Sequence, residues 1–284
     1  MAISVITDST SYIDQTLIDK YNINIASLYV TFNQDDIKEV DISNEDFYER
    51  MEKEGIPISS QPSLGELEML MKQELEKGND ILAVFISSDF SGTYNSANLL
   101  KLELQDDYPD RRIEIIDSRS NSMQLGFSTL TAARLAHDGA SFDEVVKAVN
   151  KTVACSRFLF IPENLKYLEK GGRIGKAGAL VGNVLKITPI LTVNEGKTEI
   201  YKTVRTKKRA VLAMIDKMMA DHQTSTVQEI AIHHINCEDE AIALKEKIKE
   251  LIDVDIVISS IGPVIGLHVG PGAIGIVYTT KEPM

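Results

Sequence analysis

Short unbroken apolar runs alternate with amphipathic stretches through the first half of this 284-residue chain. Residues 3–6, 81–86 and 113–117 are rich in branched aliphatic side chains, the pattern of strands covered on both faces. Each run gives way at once to polar residues: Thr7-Asp8-Ser9-Thr10, Ser87-Ser88-Asp89 and Asp117-Ser118. Ile13, Leu17, Ile18 and Tyr21 share one helical face, and residues 23–32 predict a strand ending at the turn signal Asn33-Gln34-Asp35-Asp36. Ser43 predicts the cap of a short helix that runs to Glu54 and is stopped by Gly55. In the next stretch, Ile56-Pro57-Ile58-Ser59-Ser60-Gln61-Pro62-Ser63, two prolines hold the backbone extended, which gives a rigid polar loop. Ser63 and Glu66 then form a capping box for a helix to Lys77, and further helices are predicted over about residues 120–137 and 142–152. This β/α alternation implies an α/β chain whose first domain, residues 1–153, is a three-layer α/β/α unit with a parallel sheet. Ligands of such a unit bind outside the carboxyl ends of the strands, where Asp8, Ser59, Ser91 and Asp117 would gather.

From residue 154 onward the pattern changes. Residues 156–161 read as a strand, a short helix ends at Lys170-Gly171-Gly172, and strands at 187–193 and 198–204 flank Asn194-Glu195-Gly196-Lys197, a hairpin signature. A helix around 208–219, a strand at 230–235, a helix at 241–252 and strands at 255–261 and 273–279 follow. The hairpin demands antiparallel pairing, so residues 154–284 are predicted to be an α+β domain with a mixed sheet. Gly262, Pro263, Gly266, Gly270, Pro271 and Gly272 crowd the approach to the last strand and predict a loop of fixed backbone around His268.

Composition is that of a soluble globular protein, 43% hydrophobic and 25% charged. The first residues lack the regions of a secretory signal, and no apolar run nears the roughly 20 residues of a membrane span, so a cytoplasmic protein is predicted. Cys155 and Cys237 match neither a metal-ligand spacing nor a redox pair and read as buried free thiols. A net charge of -12 argues against a general nucleic-acid binder. That charge is uneven, with -14 on residues 1–153 and +2 on residues 154–284. Between Lys166 and Arg209, eleven basic residues, Arg173 and Arg205 among them, accompany only three acidic ones. Such a run is either a solvated face or a docking surface for an anionic partner or membrane.

The most informative junction is Ser91-Gly92-Thr93-Tyr94, where the buried run 81–86 turns into a helix over residues 96–104. Ser91 is the predicted N-cap. First-turn N–H groups lack intrahelical partners, Gly92 admits a ligand to the backbone, and the hydroxyls of Ser91 and Thr93 add donors, so the junction suits a small anion. Gly270-Pro271-Gly272-Ala273-Ile274-Gly275 matches GxGxxG but leads into a strand, and Lys170 to Ala177 lacks the first glycine and the Ser/Thr of a phosphate loop. A nucleotide site is therefore not predicted, and no zinc or calcium motif occurs. A small serine esterase using Ser91 and His268 is an alternative, although no GxSxG elbow is present.

Taken together, these segments resemble the DegV family, which includes the fatty-acid-binding subunits of bacterial two-component fatty acid kinases. The resemblance runs nearly end to end and lies in Val5-Ile6-Thr7-Asp8-Ser9-Thr10, Ser59-Ser60-Gln61-Pro62-Ser63, Ser91-Gly92-Thr93-Tyr94, Asp117-Ser118, Gly171-Gly172-Arg173-Ile174-Gly175 and His268-Val269-Gly270-Pro271-Gly272. It implies a lipid-binding protein with no cofactor and no catalytic residue of its own. One fatty acid would lie between the two domains, its carboxylate held by Ser59, Ser91 and His268. Ser60, Gln61, Gly92, Thr93, Gly270 and Gly272 would support that site. The resemblance further implies presentation of the carboxylate to a separate ATP-dependent kinase, which forms an acyl phosphate for phospholipid synthesis. Arg173 and Arg205 are expected to dock that kinase or, transiently, an anionic membrane surface; a carrier for another amphipathic carboxylate is a further alternative.

Overall fold

The computed structural model describes residues 2–180 and 187–284. In chain order the elements are β1 (Ile3–Asp8), α1 (Gln15–Tyr21), β2 (Asn24–Ala26), β3 (Tyr29–Phe32), β4 (Asp35–Lys38), α2 (Asn44–Glu54), β5 (Ile58–Ser60), α3 (Leu64–Glu76), β6 (Asp80–Phe85), α4 (Thr93–Asp107), β7 (Ile113–Asp117), α5 (Ser122–His137) and α6 (Phe142–Ala154). There follow β8 (Ser156–Ile161), α7 (Lys166–Lys170), β9 (Thr188–Asn194), β10 (Lys197–Val204), α8 (Lys207–Thr224), β11 (Val227–His234), α9 (Glu238–Lys249), β12 (Ile256–Ser260), α10 (Pro263–Val269) and β13 (Ile274–Thr280). Contacts divide the chain into two compact units, Met1–Ile42 with Ser59–Val153, and Ser43–Ile58 with Ala154–Met284.

The first unit holds a parallel sheet in the order β2-β1-β6-β7. Every residue of β6 is buried, as its unbroken apolar run requires of a strand covered on both sides. Alternation along the strands decides which side each residue serves. Ile6, Ile81, Ala83 and Phe85 meet Leu67, Met71 and Leu75 of α3 and Ala97, Leu100 and Leu104 of α4. On the other side α5 packs against β1 and β6, where the Thr129 hydroxyl donates to that of Thr7 at 3.2 Å. Burying each such aliphatic side chain contributes about 1.5–3 kcal/mol before ordering costs. The predicted strand over residues 23–32 is two strands: β2 pairs with β1, and β3 leaves to form a second sheet, β4-β3-β5. The expected turn at Asn33 is present, with φ 55 there, but Asp35 and Asp36 already belong to the return strand of the hairpin. Part of the loop expected at residues 56–63 is likewise a strand, β5, which carries Ser59 and Ser60.

The second unit is built on a mixed sheet in the order β10-β9-β8-β13-β11-β12, with the predicted β9–β10 hairpin antiparallel and the β11–β12 pair parallel. Leu159, Ile161, Ile230, Ile232, Ile274, Ile276 and Tyr278 form a core with Met214 and Met218 of α8 and Leu244 and Ile248 of α9. Residues of opposite parity line the other face, where the Phe158 ring lies 5.1 Å from Phe160 and 5.8 Å from the His233 imidazole. The linear reading placed residues 43–58 in the first domain; their packing puts them in the second unit. Ser43 caps α2 as expected, accepting from Asp46 N, and Gly55 ends it at φ 92. The buried Tyr48 then donates its hydroxyl to Ile261 O at 3.3 Å, and Asn44 Nδ2 donates to Ser260 Oγ at 2.9 Å. No sequence-local signal marks those partners, which lie more than two hundred positions away.

Candidate binding site

Three loops leave the carboxyl ends of β1, β6 and β7, and their polar residues bind one another. Asp8 ends β1 with its carboxylate fully buried. It accepts from Thr10 N at 3.0 Å, Thr10 Oγ1 at 2.5 Å and, across the sheet, Ile86 N at 2.7 Å. Burial pushes its pKa up to about 6 against the lowering effect of those three donors, so the group is ionised at neutral pH. Ser87 N donates to Ser120 O at 2.8 Å, and Ser88 Oγ donates to Asp117 Oδ2 at 2.7 Å. The turn Ser87-Ser88-Asp89-Phe90-Ser91 is thus fixed from both sides, and it closes on itself where Ser91 N donates to Ser87 O at 3.1 Å.

Ser91 is not the N-cap that the sequence predicts. The cap position is Gly92, without a side-chain capping bond, and α4 begins at Thr93 instead of near Ser96. The Ser91 hydroxyl lies 2.9 Å from that of Thr93 and accepts from Thr93 N at 3.4 Å. Two hydroxyls therefore sit side by side at the start of a fifteen-residue helix.

The serine and proline loop joins this turn. Gln61 Nε2 donates to Ser96 Oγ at 2.8 Å, one turn into α4. Gln61 Oε1 lies against the backbone of Gly92, where a Cβ would stand 2.1 Å from it. Gly92 has φ -73, open to any residue, so glycine is needed there for space. The loop is held from behind as well: Ser63 accepts from Glu66 N at 3.2 Å, and Glu66 pairs with Lys38 at 2.7 Å and accepts from the Tyr29 hydroxyl. The half-buried Ser59 lies on β5 two residues before Gln61, so Ser59, Ser60, Gln61, Ser91, Gly92 and Thr93 belong to neighbouring segments of one unit.

His268 belongs to the second unit, and it stands on the helix α10 instead of in a loop. Pro263 opens that helix and Gly270 closes it at φ 83. The imidazole rests on the backbone of Gly171, where a Cβ would come within 2.0 Å of Nδ1. Burial, assisted by the charge of Arg173, pushes His268 down to about 4, so it is neutral at physiological pH. Arg173 is half-buried and donates from Nη1 to Gly171 O at 2.6 Å. The ring of Tyr167 occupies the space that a side chain at Gly270 would need, and Glu163 borders Gly272 in the same way at 3.2 Å. The Gly171-Gly172-Arg173 and His268-Val269-Gly270 segments, far apart in sequence, thus form one assembly.

Part of the basic segment is neutralised inside this unit. Lys176 pairs with Glu199 at 2.5 Å, and Lys207 pairs with Glu240 at 2.9 Å and donates to Gly272 O at 2.9 Å. Arg205 is exposed in the link between β10 and α8, and Lys166, Lys170, Lys208 and Arg209 are exposed too. Lys186, also counted in the basic run, lies outside the described residues. Among the described residues no group of three or more His, Cys, Asp or Glu side chains could hold a metal ion, and no helix is long and apolar enough to cross a membrane.

A family model described as "Uncharacterised protein, DegV family" matches residues 2–281. The chain belongs to the DegV family. A DegV domain-containing protein of Clostridium acetobutylicum is 54% identical over 284 residues, all of both chains. Among solved structures, DegV of Bacillus subtilis, described as a fatty acid binding protein, superposes with TM-score 0.89 at 30% identity, covering 99% of this chain and 100% of that one. A DegV family protein from Thermus thermophilus, described by its fatty acid binding, gives TM-score 0.90 at 26% identity over 99% and 100% of the two chains. The α/β architecture, with one parallel and one mixed sheet, is therefore the DegV architecture. Neither the Gln61–Gly92 nor the Gly171–His268 contact is marked by any local pattern in the sequence. A glycine kept for space at an ordinary φ carries no local signal.

Proposed function

We propose that this DegV-family chain binds a long-chain fatty acid and presents its carboxylate to a partner ATP-dependent kinase, which forms an acyl phosphate that feeds phospholipid synthesis. The carrying observation is the paired hydroxyls of Ser91 and Thr93 at the start of α4, held by Gln61, which follows the β5 strand that bears Ser59. Related proteins described as fatty acid binding support the choice of ligand. A fatty acid carboxylate, with an ordinary pKa near ~4.3, is ionised at neutral pH and is favoured by hydroxyl donors and a helix N-terminus. Ser59 and Ser91 are assigned to it. The tail dominates affinity: about 14 methylenes at about 0.8 kcal/mol each supply on the order of 11 kcal/mol before ordering costs. Engagement of the Ser91 hydroxyl with Thr93 favours a carrier over an esterase, since a nucleophile needs a base for that proton.

Native mass spectrometry of the purified protein, with identification of the lipid released on denaturation, tests the ligand. A bound fatty acid in the parent and a retained fraction reduced severalfold in Ser91→Ala are the expected results. Equal retention would remove Ser91 from the head-group site. A second measurement addresses the partner. With Arg205 exposed, Arg205→Glu is expected to slow kinase-dependent acyl phosphate formation several-fold at low salt while lipid binding is unchanged. Identical kinetics for parent and variant would exclude Arg205 from docking.

A further inference from the structure

The Gln61 side chain makes two contacts that fix the turn from outside. Its Nε2 donates to Ser96 Oγ at 2.8 Å, and its Oε1 fills the space left by the absent side chain of Gly92. The amide therefore spans the first turn of α4, from the cap residue to the residue four positions on. The Gly92 carbonyl accepts from Ser96 N at 2.9 Å, so the clamp and this helical bond converge on Ser96. Gln61 is itself anchored: Pro62 follows it, and Ser63 is held by Glu66 N. Glu66 in turn binds Lys38 at 2.7 Å and the Tyr29 hydroxyl. The hairpin of β3 and β4 is thereby connected through α3 and Gln61 to the turn that carries Ser91.

We propose that Gln61 is a positioning residue: by lying on Gly92 and holding Ser96, it sets the Ser91 and Thr93 hydroxyls for an ionised carboxylate and so confers preference for a free acid over a neutral head group. This rests on the fatty-acid reading above. A neutral ester has no charge for the helix start to favour, and its affinity comes from the tail, so disturbing the clamp affects the acid selectively. Gly92 is the complementary half of the device. A methyl group there meets Gln61 Oε1 at 2.1 Å, and because Oε1 ends a flexible side chain, Gln61 gives way. Gly92→Ala therefore acts by expelling Gln61, and it has little further effect once Gln61 is gone.

The test measures dissociation constants for palmitate and for methyl palmitate by competition against a fluorescent fatty acid. Parent protein is compared with Gln61→Met, Ser96→Ala, Gly92→Ala, Gln61→Ala and the double variant Gly92→Ala/Gln61→Ala. Gln61→Met keeps the bulk without the hydrogen bonds, and Ser96→Ala removes the anchor from a distance. Expected is a roughly tenfold loss of palmitate affinity in Gln61→Met, a smaller one in Ser96→Ala, unchanged ester affinity in both, and a double variant no worse than Gln61→Ala alone. Equal loss for acid and ester would mean that Gln61 only maintains structure, and undiminished palmitate affinity in Gln61→Met would remove the positioning role. Either outcome overturns the inference while leaving the fatty-acid reading intact, provided the parent prefers palmitate. A parent that binds neither probe overturns both.

Discussion

Replacing Asp8 by alanine is expected to cost about 3 kcal/mol of folding stability, read as a lower urea midpoint at unchanged slope. Its carboxylate has no exposure and satisfies Ile86 N and Thr10 N, which water does not reach. Removing it leaves two buried backbone donors without an acceptor, each worth about 1–3 kcal/mol. Asp8→Asn separates charge from hydrogen bonding. The amide keeps one acceptor oxygen but turns an NH2 toward Thr10 or Ile86, so an intermediate loss follows. Because Ile86 leads directly into the turn that ends at Ser91, the alanine variant is also expected to bind fatty acid more weakly than its stability loss alone explains. Full stability in Asp8→Ala would show that the three loops do not depend on this carboxylate.

Acidification produces the other large effect. Burial pushes His233 and His268 down to about 4, against about 6.5 for an unfolded histidine. As pH falls through that window the unfolded chain takes up protons that the folded chain refuses, so stability declines. At about 1.4 kcal/mol per pH unit, the two imidazoles together remove about 7 kcal/mol between roughly pH 6.5 and pH 4. Asp8 works in the opposite sense. Raised to about 6, it takes its proton more readily when folded, and it returns about 3 kcal/mol as pH falls from roughly 6 to 3.8. For these three groups together the net loss is about 4 kcal/mol, and His234, which burial also shifts downward, adds to it. Urea midpoints at pH 7, 5 and 4 measure it, and His233→Phe should reduce the decline; midpoints independent of pH would contradict both histidine assignments.

What the sequence made legible was local. Ser63 with Glu66, Ser43 with Gly55, and the unbroken run at β6 each carry their signal within a few residues, and each forms as expected. Ser91 was displaced from the cap by a single position, because its hydroxyl turns to Thr93 and leaves Gly92 at the helix start. The glycines around His268 read as a loop and mask Pro263 at the first helical position and Gly270 just past the end, which together are the mark of a short helix. The strand β4 was hidden by its charged composition, since as the exposed arm of a hairpin it has no apolar face to reveal it. The allegiance of α2 depends on Tyr48 and Asn44 finding residues 260 and 261, a choice made only in three dimensions. Candidate residues followed the same rule: hydroxyls at strand ends could be read, while partners that interlock across the fold could not.

The chain passes from one unit to the other after Ile42, again after Ile58 and again after Val153. Neither unit is therefore a contiguous genetic module. A fragment ending at residue 153 would carry α2, with Phe47, Tyr48 and Met51 that are buried in the whole chain, while lacking the α10 helix on which α2 packs. The complementary piece would lack a helix of its own fold. Exchange of halves between relatives by a single crossover at that point would pair an α2 from one parent with an α10 from the other, and Tyr48 beside Gly266 would have to remain compatible across the junction. A single cut at residue 153 therefore separates the inserted helix from the unit on which it packs.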